Sequence, residues 1–327
     1  MQQLSAHSPP QVSAPPAPAA SYARRDGRTA LEIRGKEMKL SEMAGFDGSS
    51  WYAQGQTAVS VCIHGPTAAR SEEYDVCTLH VRVQHARGRA PSAGGAEKVL
   101  YEECKLSQLT RVDALALESL LESSLHAVFM RERYPRCVLV VDVVVVADDG
   151  SLPAVALNAL MCALLDAGLP CRTTMAAVCV AAVTRGGGGG GGVTSSSTAG
   201  SAPVLTYLLD PTSAEEALGT SSAAPTAAAS AQMSILDHAA TQQQAQEDFR
   251  CVSTGVFVFS NPACGGGLLA QLVRRVGGAS GDGTRNGGGG GETMAGLSVA
   301  AYAEMMTLAE RAAAVLFDFF RQCNVAD

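Results

Sequence analysis

Residues 137–172, CVLVVDVVVVADDGSLPAVALNALMCALLDAGLPCR, constrain the fold more than any other stretch of this chain. Positions 138–147 are apolar and mostly valine, interrupted only by Asp142. A β-branched run of that length, closed by Asp-Gly, predicts a buried strand. Ser151 is placed to cap a helix, and Pro153 falls in its first turn, where a missing N–H costs nothing. The apolar spacing carries that helix to about 167. Gly168 then stands at the C′ position and Pro170 blocks continuation. Strand, turn and buried helix predict the core of one domain.

The length of 327 residues would allow two domains, but much of it cannot contribute to a core. Residues 1–20 are dominated by Pro, Ala, Ser and Gln, and 184–203 carry a seven-glycine run. Residues 219–246 are rich in Ala, Ser and Gln, and 277–292 are rich in Gly. Such segments bury too little apolar surface to offset the entropy of ordering them. The expected organisation is a disordered tail at 1–22 and a single domain over 23–327. Flexible insertions then fall at about 184–203, 219–246 and 277–292.

The net charge of −7 argues against coating nucleic acid by bulk charge, while leaving room for a local basic patch. Ten cysteines occur singly, with no CxxC pair and no Cys/His metal spacing. Cys62, Cys77, Cys137, Cys162 and Cys179 sit in apolar runs and read as reduced core thiols, which favours a reducing compartment. No apolar stretch reaches bilayer length, and 1–20 lack the order of a signal peptide. The expectation is a soluble intracellular protein.

Taken in order, DGR at 26–28 predicts a turn and LEIR at 31–34 an edge strand. Asp47-Gly48-Ser49-Ser50 opens a hairpin with strands at 51–53 and 57–64, ended by Gly65-Pro66. Residues 76–83 alternate as a half-buried strand. From 97 to 129 the apolar residues recur at helical spacing, predicting two helices divided near Asp113. Strands follow at 175–183, 204–209, 251–259 and 268–276, the second closing a hairpin with a swollen loop. A strongly apolar helix covers 297–323. This order predicts an α+β fold, with helices packed on mixed sheets.

Asp149-Gly150-Ser151 at a helix start can form an anion nest, although spacing alone favours an ordinary turn and cap. The glycine runs lack the G-x-x-x-x-G-K-[ST] order of a phosphate loop. Arg82, Arg87, Arg89 and Lys98 could contact a phosphate backbone or simply solvate a strand edge. Asp142, Asp148, Asp149 and Asp166 supply carboxylates near the core turn, with Asp148 and Asp149 read as surface turn residues. His64 and His126 have apolar neighbours and read as core histidines. There is no G-x-S-x-G and no Cys/His nucleophile pair. The residues by themselves predict an α+β domain without an enzymatic signature.

Several segments nevertheless resemble the RNase PH family, specifically the RNase PH-like subunits of the RNA exosome ring. They are DGR with LEIR, DGSSWYAQGQTAVSVCIHGP at 47–66, DDGSLPAVALNALMCALLDAGLPCR at 148–172, YLLDPTSAEE at 207–216, and the last helix. The resemblance implies an RNase PH-like, two-layer fold of the ribosomal-protein-S5-domain-2 type. It implies partners too: RNase PH-like subunits in a hexameric ring, S1/KH cap subunits, an associated exosome nuclease and single-stranded RNA, with no membrane. The compartments implied are nucleus, nucleolus and cytoplasm.

Active relatives hold phosphate on a Gly-Thr-Arg at the start of the core helix, where amides and a guanidinium meet the anion. The matching residues here are Gly150, Ser151 and Leu152, and leucine has neither donor nor charge. Active relatives also carry two acids six apart after the Leu-Asp segment. Glu216 matches the first, and Asp248, beyond an insertion, is the one candidate for the second. The expectation is therefore a non-catalytic ring subunit with no cofactor or metal, in which Arg82, Arg87, Arg89 and Lys98 approach the RNA. The alternative is a residual 3′-to-5′ exoribonuclease, phosphorolytic or metal-dependent, using Asp210, Glu216 or Asp248. A standalone RNA-binding module is a third reading.

Overall fold

The alternation at 47–64 and 138–147 assembles into one sheet in the computed structural model, which describes residues 22–68, 74–86, 111–185, 205–218, 249–276 and 297–325. Its strands are β1 (Lys36–Leu40), β2 (Gly48–Gln54), β3 (Thr57–Ala68), β4 (Thr78–His85) and β5 (Cys137–Ala147). Their order is β1-β2-β3-β5-β4. All neighbours are antiparallel except β4 and β5, which run parallel. A two-residue turn joins β2 to β3, with Gly55 at φ 62° as such a turn requires.

Three readings of this region change. The edge strand is 36–40, because in LEIR the Arg34 N–H is taken by the Asp210 carboxylate, which keeps it out of a ladder. The Gly65-Pro66 pair does not end β3: the strand passes through a register shift between His64 and Thr67, where a residue without an N–H is tolerated. β5 is buried on one face only. Leu139, Val141, Val143 and Val145 are fully buried, while Val146 on the other face is 45% exposed.

A second, antiparallel sheet contains β6 (Met175–Arg185), β7 (Leu205–Leu209), β8 (Phe249–Ser260) and β9 (Gly267–Arg275), in the order β7-β6-β8-β9. Thr184 and Arg185, assigned to the first insertion by the sequence, belong to β6. The rest of 186–203, together with 219–246 and 277–292, lies outside the described residues.

The helices are α1 (Arg111–Val128), α2 (Leu152–Asp166), α3 (Ser213–Glu216) and α4 (Val299–Val325). Residues 154–164 of α2 are all buried, since it packs on β2 and β3 of the first sheet and on β6 of the second. At its flanks α1 meets β4 and β9, and α4 covers β6, β7 and β8. Phe319 and Phe320 of α4 also reach Tyr52 of β2 in the first sheet. The layers are therefore sheet, helices, sheet, rather than the two expected. A helix apolar on every face needs cover on both sides. Asp113 does not divide α1 but lies in its first turn, where a carboxylate suits the helix dipole. The stretch 97–110 lies outside the described residues.

One polar side chain fixes α2 against the second sheet. β7 pairs only with residues 180–184 of β6, leaving that edge of β6 open further back. Asn158 fills the gap. Its Nδ2 donates to the Ala177 carbonyl at 3.0 Å and its Oδ1 accepts the Ala177 N–H at 2.8 Å. A buried backbone edge must be satisfied, and here a helix side chain does what a strand would do.

Tyr22, placed at the end of the tail by the sequence, is 7% exposed. It packs edge-on against Phe249, with a ring separation of 5.1 Å. His64 and His126, read as core residues, are at the surface beside Asp47 and Glu122. Cys62, Cys77, Cys162 and Cys179 are buried free thiols and Cys137 is half-buried. Among the described residues no helix is long and apolar enough to cross a membrane.

Candidate functional site

The turn between β5 and α2 passes through two left-handed residues, Gly150 at φ 88° and Ser151 at φ 57°. Glycine is required at 150. A Cβ there would lie 2.5 Å from the Ser213 nitrogen and 2.6 Å from the Pro211 carbonyl oxygen. Ser151 stands at the N-cap position, but its side chain does not cap α2. Its Oγ donates to the Pro211 carbonyl at 2.9 Å instead. Thr57, at the start of β3, ties the turn from below. Its Oγ1 accepts from the Asp149 N–H at 3.0 Å and donates to the Gly150 carbonyl at 2.8 Å.

Arg34 closes the turn from the side. Its guanidinium donates to the Asp149 carbonyl at 2.9 Å and the Gly150 carbonyl at 3.1 Å. It also grips the Asp210 carboxylate with Nε at 2.9 Å and Nη2 at 2.7 Å. Asp210 is 1% exposed. Burial alone would raise its pKa, but the hydrogen bonds and charge of Arg34 outweigh that and hold it below the ordinary range.

Behind Asp210, Thr212 and Glu215 form a capping box on α3. The Glu215 carboxylate receives Arg24 at 2.9 and 2.7 Å. Arg24 also donates to the Leu209 and Asp210 carbonyls, at 2.9 Å each. Two arginines of the N-terminal segment thus lock the 207–216 strand and turn against the start of α2.

Glu216 completes the enclosure. Its Oε1 accepts the Ser151 N–H at 2.8 Å, so a carboxylate of the chain itself sits at the amino end of the core helix. Burial, with Asp148 and Asp210 nearby, raises its pKa from the ordinary 4.5 to about 7, against the pull of the Ser151 hydrogen bond and Arg34. Leu152, the first helical residue, is 5% exposed and belongs to the core.

Of the residues singled out in the sequence, Gly150, Ser151, Leu152 and Glu216 converge here. Asp248, Arg87, Arg89 and Lys98 lie outside the described residues. Arg82 does not present a free charge to a partner. Its guanidinium is bidentate on Asp142 across β4 and β5, at 2.7 and 2.9 Å. Sequence reasoning missed the roles of Arg24, Arg34 and Thr57, although the T-x-x-E spacing of Thr212 and Glu215 was a readable cap. Chemically the site is occupied: Asp210 and Glu215 are ion-paired, and Glu216 holds a helix amide. Among the described residues no group of three His, Cys, Asp or Glu is arranged to hold a metal.

The model of the 3′ exoribonuclease family, domain 1, matches residues 32–170. The exosome complex exonuclease RRP46 homolog of Arabidopsis thaliana is 28% identical over 159 residues, 48% of this chain and 58% of that protein. Exosome complex component RRP41 of Homo sapiens is 26% identical over 158 residues, 47% of this chain and 60% of that one. The chain thus spans about three fifths of the length of these relatives. Among solved structures, rice Rrp46 superposes with a TM-score of 0.56 at 20% identity, covering 91% of this chain and 98% of that one. The Archaeoglobus fulgidus exosome with RNA bound to the active site gives 0.51 at 14% identity, covering 91% and 92%. At those identities the likeness speaks to the fold. Residues 32–170 match the family model, and the described chain shares its fold with these solved exosome subunits.

Proposed function

We propose that the chain is a non-catalytic, RNase PH-like ring subunit of the RNA exosome, of the Rrp46 type. In this reading it packs beside paralogous RNase PH-like subunits, under S1/KH cap subunits, and helps guide single-stranded RNA to a nuclease elsewhere in the complex. It works in the nucleus and nucleolus, and also in the cytoplasm. One observation carries the absence of catalysis: Leu152 is turned into the core where active relatives place an arginine, and Glu216 already holds the adjacent amide. An incoming phosphate would meet a carboxylate and a leucine, which supply repulsion and no donor.

The test is incubation of the purified chain with end-labelled single-stranded RNA, with and without phosphate and Mg²⁺. The expected result is no release of nucleotides. Release that disappears in Asp248→Asn would overturn the reading and favour the residual nuclease. A tagged copy is expected to recover several RNase PH-like subunits from cells, and recovery alone would count against the ring assignment.

A further inference from the structure

We infer that the free edge of β1 pairs with the same edge of a second copy of this chain, antiparallel and in one register centred on Met38. The proposal concerns the chain by itself and does not rest on the ring reading. β1 stands at the end of the first sheet, with β2 as its neighbour. In an antiparallel ladder, residues that bond the neighbour alternate with residues whose N–H and C=O point away. The Ser41 N–H donates to the Ser49 carbonyl at 3.1 Å and the Gly55 N–H to the Gly35 carbonyl at 2.9 Å. In that register the odd positions of β1 face β2, and Lys36, Met38 and Leu40 turn their backbone groups outward. Among the described residues no hydrogen bond is made to those groups. The opposite edge of the sheet is guarded. There the Val83 N–H of β4 is taken by the Glu118 carboxylate at 2.9 Å, and Arg131 bonds both backbone groups of Cys77, just before the strand.

The side chains select the occupant. Glu37 and Lys39 share one face of β1, with side chains 63% and 50% exposed. Met38 and Leu40 lie on the other face, at the margin of the core. A lysine on an edge ordinarily discourages pairing. In Lys36-Glu37-Met38-Lys39-Leu40, however, acid and base flank the centre symmetrically, so the segment complements its own reverse. With Met38 opposite the partner's Met38, Glu37 of each strand faces Lys39 of the other. These are the non-hydrogen-bonded positions, where opposed side chains come closest. The same register sets Lys36, Met38 and Leu40 opposite the partner's Leu40, Met38 and Lys36, so every outward N–H meets a carbonyl. A slip by two residues sets Lys39 against the partner's Lys39, or Glu37 against the partner's Glu37. A slip by one residue breaks the match of outward backbone groups. Within its own chain Lys39 lies 3.8 Å from Glu37 and 3.9 Å from Glu42, exposed contacts that contribute little and can be exchanged. An unrelated extended peptide would use the backbone groups without cancelling both charges. The pairing is two-fold and uses each edge once, so it closes at a dimer.

The test is the mass of the purified full chain by sedimentation velocity over a dilution series. The parent chain is expected to pass from monomer to dimer as concentration rises. Glu37→Lys and Lys39→Glu each set like charges opposite one another at both symmetric positions. Each is expected to weaken association about tenfold or more, with thermal melting equal to that of the parent as the check on folding. An equimolar mixture of the two variants is expected to recover the dimer, since one chain then brings only lysines and the other only glutamates to the facing positions. Met38→Pro removes an outward N–H without touching the β2 ladder, and it is expected to weaken the dimer as well. A parent chain that stays monomeric at every concentration overturns the proposal. So does a dimer that both charge variants leave intact, or a mixture that associates no better than either variant alone. The ring assignment fails separately, when a tagged copy recovers no RNase PH-like subunits from cells, whatever mass the purified chain shows.

Discussion

At the scale of single residues, Asn158 and Glu216 carry consequences that can be measured. Asn158 satisfies both polar groups of Ala177 in a fully buried place. Asn158→Leu keeps the volume roughly constant but orphans a donor and an acceptor, each costing about 1–3 kcal/mol. A loss of about 2–4 kcal/mol in urea unfolding is expected, and a change below about 0.5 kcal/mol would show that Ala177 finds other partners. For Glu216 the sign follows from its raised pKa, from 4.5 to about 7. Between those values the folded chain holds a proton that the unfolded chain has released. The contribution of Glu216 to stability is therefore complete below pH 4.5 and is lost as pH rises through about 7. Asp210 does the opposite: its pKa is lowered, so its contribution is present above the ordinary carboxylate range and is lost in acid. Glu216→Gln keeps an oxygen for the Ser151 N–H and removes the titration. Its stability relative to the parent chain should rise between pH 5 and pH 8, as read by denaturation midpoints at each pH. A parallel pair of curves would mean that Glu216 titrates normally.

At the scale of elements, what ties the N-terminal segment to the molecule is ionic, and this was hard to see in the sequence. The strand, turn and helix at 137–172 were legible because valine runs, Asp-Gly and Pro near a helix start are local signals. The pairing of Arg34 with Asp210 spans 176 positions, and nothing in LEIR or LLDPT names the other. It even reverses a local signal, since the Arg34 N–H that should have entered an edge strand goes to Asp210. The burial of Tyr22 and the exposure of His64 and His126 are likewise tertiary outcomes. The site at Gly150, Ser151, Leu152 and Glu216 was legible through family resemblance, but its closure by Glu216 was not. A double-mutant cycle tests the ionic lock. Asp210→Asn alone should cost about 3–5 kcal/mol, because it leaves the Arg34 guanidinium buried without its counter-charge. Arg34→Met should cost a similar amount, and the double variant clearly less than the sum, with a coupling of at least about 1 kcal/mol. Additive losses would mean that each residue is held by its backbone contacts and that the ion pair adds little.

At the scale of the whole molecule, the proposed absence of catalysis raises the question whether one side chain could supply it. If Leu152 alone accounted for the proposed absence of catalysis, Leu152→Arg would give phosphate-dependent RNA cleavage. The geometry argues otherwise on two counts. Leu152 is 5% exposed within the core cluster, so an arginine there must either bury a charge or pull the first turn of α2 out of its packing. The amide that would meet the anion already serves Glu216, and the turn carbonyls are held by Arg34 and Thr57. The segment 210–216 is packed against Gly150 closely enough to exclude a Cβ. Leu152→Arg is therefore expected to lower the melting temperature by several degrees and to yield no phosphate-dependent release from labelled RNA. Adding Glu216→Gln should recover part of the stability at pH 8 and still yield no release. Phosphorolysis by Leu152→Arg alone would show that a single missing arginine separates this scaffold from an enzyme.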